Sequence, residues 1–219
     1  MATKKQTLTK DSIVSMFMHD TLEHNEKPKS VFHFTKSNKL TESEFYSFFG
    51  TIEGLEKEIF NLFHEKTLEL LAKDQEYEKY DMKSKLLSYY FTFFEIITAN
   101  RSYVLLSLKE NKNPINGLKQ LSGLRQHFKH FIAEILSDEN RISQEKLKEI
   151  QEKAIQESSW IQFMMALKFW MDDSSASFEK TDIFIEKSVK LSSELMNTAP
   201  LESLIDFGKF LFKEKIQHN

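Results

Sequence analysis

The chain has 219 residues and no cysteine, and its 30 Lys and Arg stand against 33 Asp and Glu for a formal net charge of −3. That length suits one or two compact domains with a sizeable core. The missing cysteine excludes disulfides and thiolate metal sites and fits a reducing cytoplasm, and the near-balanced charge excludes a globally basic nucleic-acid binder.

A polar, basic stretch over residues 1–10 has no apolar run behind it, which reads against a signal peptide. Thr9 caps a first helix running to about His24, with Ile13, Met16, Phe17 and Thr21 on one side. Asn25 to Pro28 is a short linker. Ser30 caps a second helix with Val31, Phe34 and Thr35 inward, ending near Ser37, Asn38 and Lys39. Thr41 and Glu44 form a T-x-x-E capping box that opens a third helix over 41–49. Gly50 breaks it, Thr51 caps the next, and a fourth helix over 52–73 carries Ile52, Leu55, Ile59, Leu62, Phe63 and Leu70 as its apolar stripe. After the polar segment 74–80, a helix over 82–99 is apolar all round its middle and therefore central. A short helix over 101–109 and a loop holding Pro114 follow. Further helices are expected over 114–136, 143–171, 179–196 and 201–217. Only five Gly and three Pro punctuate the whole, which favours an all-α fold of long helices. No stretch is apolar over the length of a membrane span.

Three short helices within fifty residues, the last two joined by a tight turn, make a helix-turn-helix unit. Residues 27–39 hold four Lys and no acid, a local basic stretch. Val31, Phe34, Leu40, Thr41, Tyr46, Phe49, Glu53 and Leu55 stand in the register of the DNA-binding segment of the TetR family, which residues 30–55 resemble. The resemblance implies a TetR-like fold: a helix-turn-helix DNA-binding domain over 1–50 and a C-terminal ligand-binding and dimerisation domain over 51–219, with 52–73 as linking helix. It places the third helix in the major groove of operator DNA. Lys29, Ser30, Lys36, Lys39, Thr41, Glu42, Ser43, Tyr46 and Ser47 then become candidate DNA-binding residues. Tyr46 is read as a phosphate or sugar contact or as a packing residue at the domain surface. Three positions depart from the family pattern. Lys39 stands where Gly is common, Phe48 where His or another polar residue is common, and Ile52 where Lys is usual. No Arg precedes Arg101, although Arg is the usual guanine reader.

A second segment, 173–189, has the pattern D-S-S-x-x-F-E-x-T-x-x-F-x-E-x-x-V. It is similar to a segment of the TetR-fold lipid-binding protein family of coenzyme Q biosynthesis. It is also a loop that ends one helix and caps the next, through Ser177 or Thr181 with Glu179 in the first turn. The reading this supports is a lipid- or isoprenoid-binding accessory protein with a vestigial helix-turn-helix.

Twenty Phe and eight Met describe either a Phe-heavy core or a pocket for an apolar ligand. Leu86, Tyr90, Phe94, Phe128, Phe163 and Leu167 are the candidate pocket lining. Glu95 either orients a polar headgroup there or pairs with Arg101 or a Tyr hydroxyl. His127, His130 and Glu134 share a helix face as a surface group or, less simply, as metal ligands. No phosphate loop, nucleophile elbow or catalytic triad order is visible, so neither an enzyme nor a cofactor is expected. Apolar faces on 143–171 and 201–217, with Ile161, Met165, Phe169, Leu204, Phe207 and Leu211, suit a four-helix homodimer interface. The expected function is a cytoplasmic, homodimeric, DNA-binding transcriptional regulator, a repressor responsive to a small hydrophobic ligand or lipid.

Overall fold

A computed structural model describes residues 8–109, 119–137 and 145–198. All regular structure among them is helical: α1 (Lys10–His24), α2 (Val31–Ser37), α3 (Glu42–Tyr46), α4 (Ile52–Leu71), α5 (Met82–Ala99), α6 (Arg101–Lys109), α7 (Ser122–Ser137), α8 (Glu145–Asp172) and α9 (Glu179–Thr198). Short 3-10 turns at Tyr77–Lys79 and Ala176–Phe178 interrupt the connections. The helix expected over 201–217, with Leu204, Phe207 and Leu211, lies outside the described residues. None of the described helices is long and apolar enough to cross a membrane.

The helix starts follow their caps. The Thr9 hydroxyl accepts from Ser12 N at 3.1 Å, and Ser12 returns a bond to Thr9 N at 2.9 Å. Ser30 accepts from His33 N at 3.3 Å, and Thr51 from Gly54 N at 2.9 Å. Each cap satisfies a donor that the first helical turn leaves open. The third helix is shorter than the 41–49 expected, because Phe48 N and Phe49 N both turn back to Phe45 O at 3.0 Å and close it early.

Residue contacts divide the chain into two units. The first comprises the described residues within Met1–Glu69 and Phe93–His127. Its centre near the N-terminus is a chain of rings: Phe17 to Phe34 at 5.7 Å and Phe34 to Phe45 at 5.8 Å, both edge to face, and Phe45 to Phe49 at 6.0 Å, tilted. These rings close α1, α2 and α3 over one apolar centre, and α1 also packs on α6. Two carboxylates of α4 tie this cluster down. Glu56 meets Lys27 at 3.2 Å, and Glu58 meets Lys10 at the start of α1. Further along α4, Asn61 abuts Gly123 of α7, and His64 stacks on His127 at 5.5 Å. On the α4 stripe Leu71 is buried and Leu70 is exposed, so the register there differs from expectation by one residue.

The second unit comprises the described residues within Leu70–Thr92 and Phe128–Asn219. Its core is aromatic. Tyr89 stacks on Phe131 at 4.5 Å, Phe128 lies 4.8 Å from Phe163, and Trp160 stacks on Phe163 at 5.4 Å. Helices α8 and α9 pack antiparallel, since Phe169 faces Phe184 and Gln162 reaches Ser188. The corner between them is built on Asp173. Its carboxylate accepts from Ser175 N at 2.8 Å, Ser175 Oγ at 2.7 Å, Thr181 N at 2.9 Å and Thr181 Oγ1 at 2.6 Å. Burial alone would raise this carboxyl, but the bonds donated by Thr181 and Ser175 hold it below the ordinary carboxylate range. The first turn of α9 is thus capped by Asp173, reaching over from the end of α8, and by Ser175 Oγ, which accepts from Lys180 N at 3.2 Å, rather than by the Ser177 or Thr181 expected from sequence. The corner passes through two left-handed residues without glycine, Ser177 at φ 53° and Phe178 at φ 59°, which carries a local strain of about 1–2 kcal/mol per residue.

Candidate nucleic-acid interface and C-terminal concavity

Helices α2 and α3 are joined by Ser37–Lys39 in a turn that Lys39 completes at φ 56°. Lys39 thus takes a left-handed conformation at the position where the family commonly has Gly, and Leu40 N closes the turn on Thr35 O at 2.8 Å. At the start of α3 the Thr41 hydroxyl accepts from Glu44 N at 3.2 Å. One Glu44 carboxylate oxygen accepts in return from Thr41 N at 2.8 Å and Thr41 Oγ1 at 2.9 Å. The capping box expected from sequence forms with both halves present.

The candidate DNA-binding residues divide by what they do here. Ser30 and Thr41 are caps, and Ser47 donates its hydroxyl to Glu44 O at 2.7 Å. Lys29, Lys36, Lys39, Glu42, Ser43 and Tyr46 are all exposed, with Tyr46 at 52%. Lys29 lies 3.9 Å from Glu26 at the edge of ion pairing, and Lys36 sits over the Phe32 ring at 5.8 Å. Lys39 makes no ion pair among the described residues. Phe48 is 39% exposed, whereas Ile52 is buried. Of the three departures, then, Phe48 changes the outer surface and Ile52 serves the core.

The candidate pocket residues fall in both units. Leu86, Tyr90, Phe128, Phe163 and Leu167 are buried within the aromatic core of the second unit. Tyr90 lies 5.8 Å from Phe163, and burial pushes its hydroxyl far above the ordinary tyrosine range. Phe94 belongs to the first unit and packs on Phe93 at 6.0 Å. Glu95 is exposed, so it lines no buried pocket. The physical reason is the α5 register. Met82, Leu86, Tyr89, Tyr90, Phe93 and Ile97 repeat at helical spacing as the buried face, and Glu95 falls on the other side.

A concavity of about 750 Å³ lies instead between α8 and α9. Trp160, Ile161, Met164, Met165, Phe169 and Phe184 give its apolar wall, and Lys168, Asp172 and Lys180 are among its polar groups. Lys168 pairs with Asp172 one turn away. The sequence signal for this place was present as the stripe Ile161, Met165, Phe169, which sequence assigned to subunit contact. All three are exposed, at 59%, 56% and 38%, as are Leu191 and Leu195 on α9 at 58% and 54%.

His127 and His130 are both exposed on α7 but do different things. His130 meets Glu134 at 3.2 Å, while His127 stacks on the buried His64 of α4. No group of three His, Cys, Asp or Glu side chains among the described residues is placed to hold a metal ion. Burial, and secondarily the neighbouring His127, lower the His64 pKa to about 4.

Residues 85–211 match the family described as tetracyclin repressor-like, C-terminal domain. No curated protein matches the chain. The matched segment runs from α5 through the helices that carry the aromatic core and the concavity, and it takes in more than half of the 219 residues. The chain belongs to the tetracyclin repressor-like family.

Proposed function

We propose that the protein is a homodimeric, DNA-binding transcriptional regulator, acting as a repressor whose hold on its operator changes when a small apolar ligand binds the C-terminal region. The observation that carries this reading is the capped α2–turn–α3 unit, with Lys39, Ser43 and Tyr46 exposed around the short helix. Residues 1–50 serve as the reading domain and 51–219 as the ligand and dimer domain. The exposed apolar side chains of α8 and α9 support the subunit contact, since buried apolar area drives stable association. Two reading heads then address half-sites roughly 34–36 Å apart. The concavity between α8 and α9 is the ligand site this reading adopts, and a guest there would bear on subunit spacing.

A DNA titration at several salt concentrations tests the reading. Tyr46→Ala and Lys39→Ala weaken binding to all duplexes, and Lys39→Ala flattens the salt slope by about one unit. Lys187→Ala, on the exposed surface of α9, serves as control. Unchanged affinity in both N-terminal variants would move the assignment to a lipid-binding accessory protein. The apolar concavity favours that second reading, and mass spectrometry of molecules extracted from the purified protein would identify its lipid. Sedimentation at micromolar concentration gives a dimer for the wild type and a monomer for Met165→Glu.

A further inference from the structure

The face that α3 would turn to DNA contains no cation and no side-chain amide. Of Glu42-Ser43-Glu44-Phe45-Tyr46, Phe45 is buried and the Glu44 carboxylate is engaged by Thr41. Ser47, just beyond, donates its hydroxyl to Glu44 O. Glu42, Ser43 and Tyr46 are left exposed. The nearby lysines, Lys29, Lys36 and Lys39, lie before α2, at its end and in the turn, outside α3 itself. Glu42 makes no ion pair with any of them among the described residues.

A carboxylate in the major groove is repelled by phosphates unless it accepts a hydrogen bond from a base. Guanine offers it only the acceptors O6 and N7. Adenine offers N6–H beside the N7 lone pair. Cytosine offers the N4 amino donor with no acceptor beside it, and is the best match. Resting on the DNA-reading function above, we propose that Glu42 is the specificity-determining residue of α3 and that the selected duplex places a cytosine amino group against it. The lysines around α3 supply sequence-independent phosphate contacts, and Glu42 turns part of that general affinity into rejection of guanine at one position.

The test is selection from a random duplex pool at fixed salt, with wild type, Glu42→Ala and Glu42→Lys side by side. Both substitutions leave Thr41 and Glu44 in place, so α3 keeps its cap, and circular dichroism checks that helix content is unchanged. Wild type selects sites with one position held as cytosine, and guanine there weakens binding roughly ten- to hundredfold. Glu42→Ala loses preference at that position alone. Glu42→Lys selects guanine at the same position, because an ammonium donates to O6 and N7. A selected motif that is identical in all three proteins overturns this proposal and leaves DNA reading intact, as does a Glu42→Lys variant that only binds every duplex more tightly. A wild type that retains no duplex overturns both readings.

Discussion

Replacing Gly123 by alanine tests how α4 is held against α7. A Cβ at residue 123 would stand 2.3 Å from Asn61 Oδ1, 2.9 Å from Nδ2 and 3.0 Å from Cγ. The amide must therefore retreat by about 1 Å, since ordinary contact begins near 3.4 Å. Retreat is not free, because Asn61 Nδ2 donates to Glu58 at 3.0 Å and that bond is lost or stretched. Overpacking costs about 1–3 kcal/mol, and the better helix propensity of alanine returns about 0.5–1 kcal/mol. Gly123→Ala should be less stable than wild type by about 1–2 kcal/mol, a fall in Tm of roughly 2–8 °C. In an Asn61→Ala background the obstruction is gone and only the propensity gain remains, so the same substitution should raise stability there. Asn61→Ala also removes the Nδ2 bond to Glu58, so its own cost is read from that single variant and the cycle isolates the contact. Urea titration of wild type, both single variants and the double variant, at one fixed protein concentration, reads the cycle. If Gly123→Ala shifts stability with the same sign in both backgrounds, the close approach is not what sets the spacing of the two helices.

Acid should weaken the fold through His64. Its pKa is about 4 when folded against an ordinary 6.5, so the unfolded chain binds the proton first, and stability that is whole above pH 6.5 falls between pH 6.5 and 4 by roughly 2–3 kcal/mol. The His64→Phe variant should lose that part of the slope. His24, whose pKa is raised by its bond to the Asp20 carbonyl and by the Asp20 charge, works in the opposite sense, so the comparison with wild type is the informative quantity; equal slopes would sink the claim. Lys39→Gly should separate two roles of one residue. Relief of the left-handed backbone at φ 56° raises stability by about 0.5 kcal/mol, while loss of the ammonium lowers the DNA salt slope by about one unit. A drop in both quantities would mean that the lysine side chain also holds the fold.

Local chemistry was readable from sequence, and pairing across distance was not. Thr9, Ser30, Thr41 and Thr51 announce helix starts because a cap needs only its neighbours three residues on. Asp173 escaped because it caps α9 from eight residues away, and nothing in a short window marks that reach. The stacked histidines and the Asn61–Gly123 approach join residues some sixty apart, which only the fold brings together. Glu95 is a different failure. The buried face of α5 was legible in the spacing from Met82 to Ile97, but the number of aromatics hid the period, and a helix that looked apolar all round in fact has an outer side. For the pocket, residue type identified interior side chains without showing whether they leave space. Tyr90, Phe128 and Phe163 lie with ring centroids 4.8 to 6.2 Å apart, and the concavity opens where α8 turns its apolar stripe outward.

The two ion pairs from α4 bear on how the N-terminal three-helix unit could be transplanted. Glu56 and Glu58 stand two residues apart on one helix, yet they moor opposite ends of the preceding segment, through Lys27 in the linker after α1 and Lys10 at the start of α1. A chimera spliced at Gly50 would carry both lysines away with the transplanted helices and leave both carboxylates behind on α4. The transplanted helices would arrive without their moorings, and the body left behind would keep the buried Glu56 facing whatever replaced them. A splice placed beyond Asn61 keeps each lysine with its carboxylate. The portable module therefore runs past the end of the three short helices into the third turn of the helix that follows.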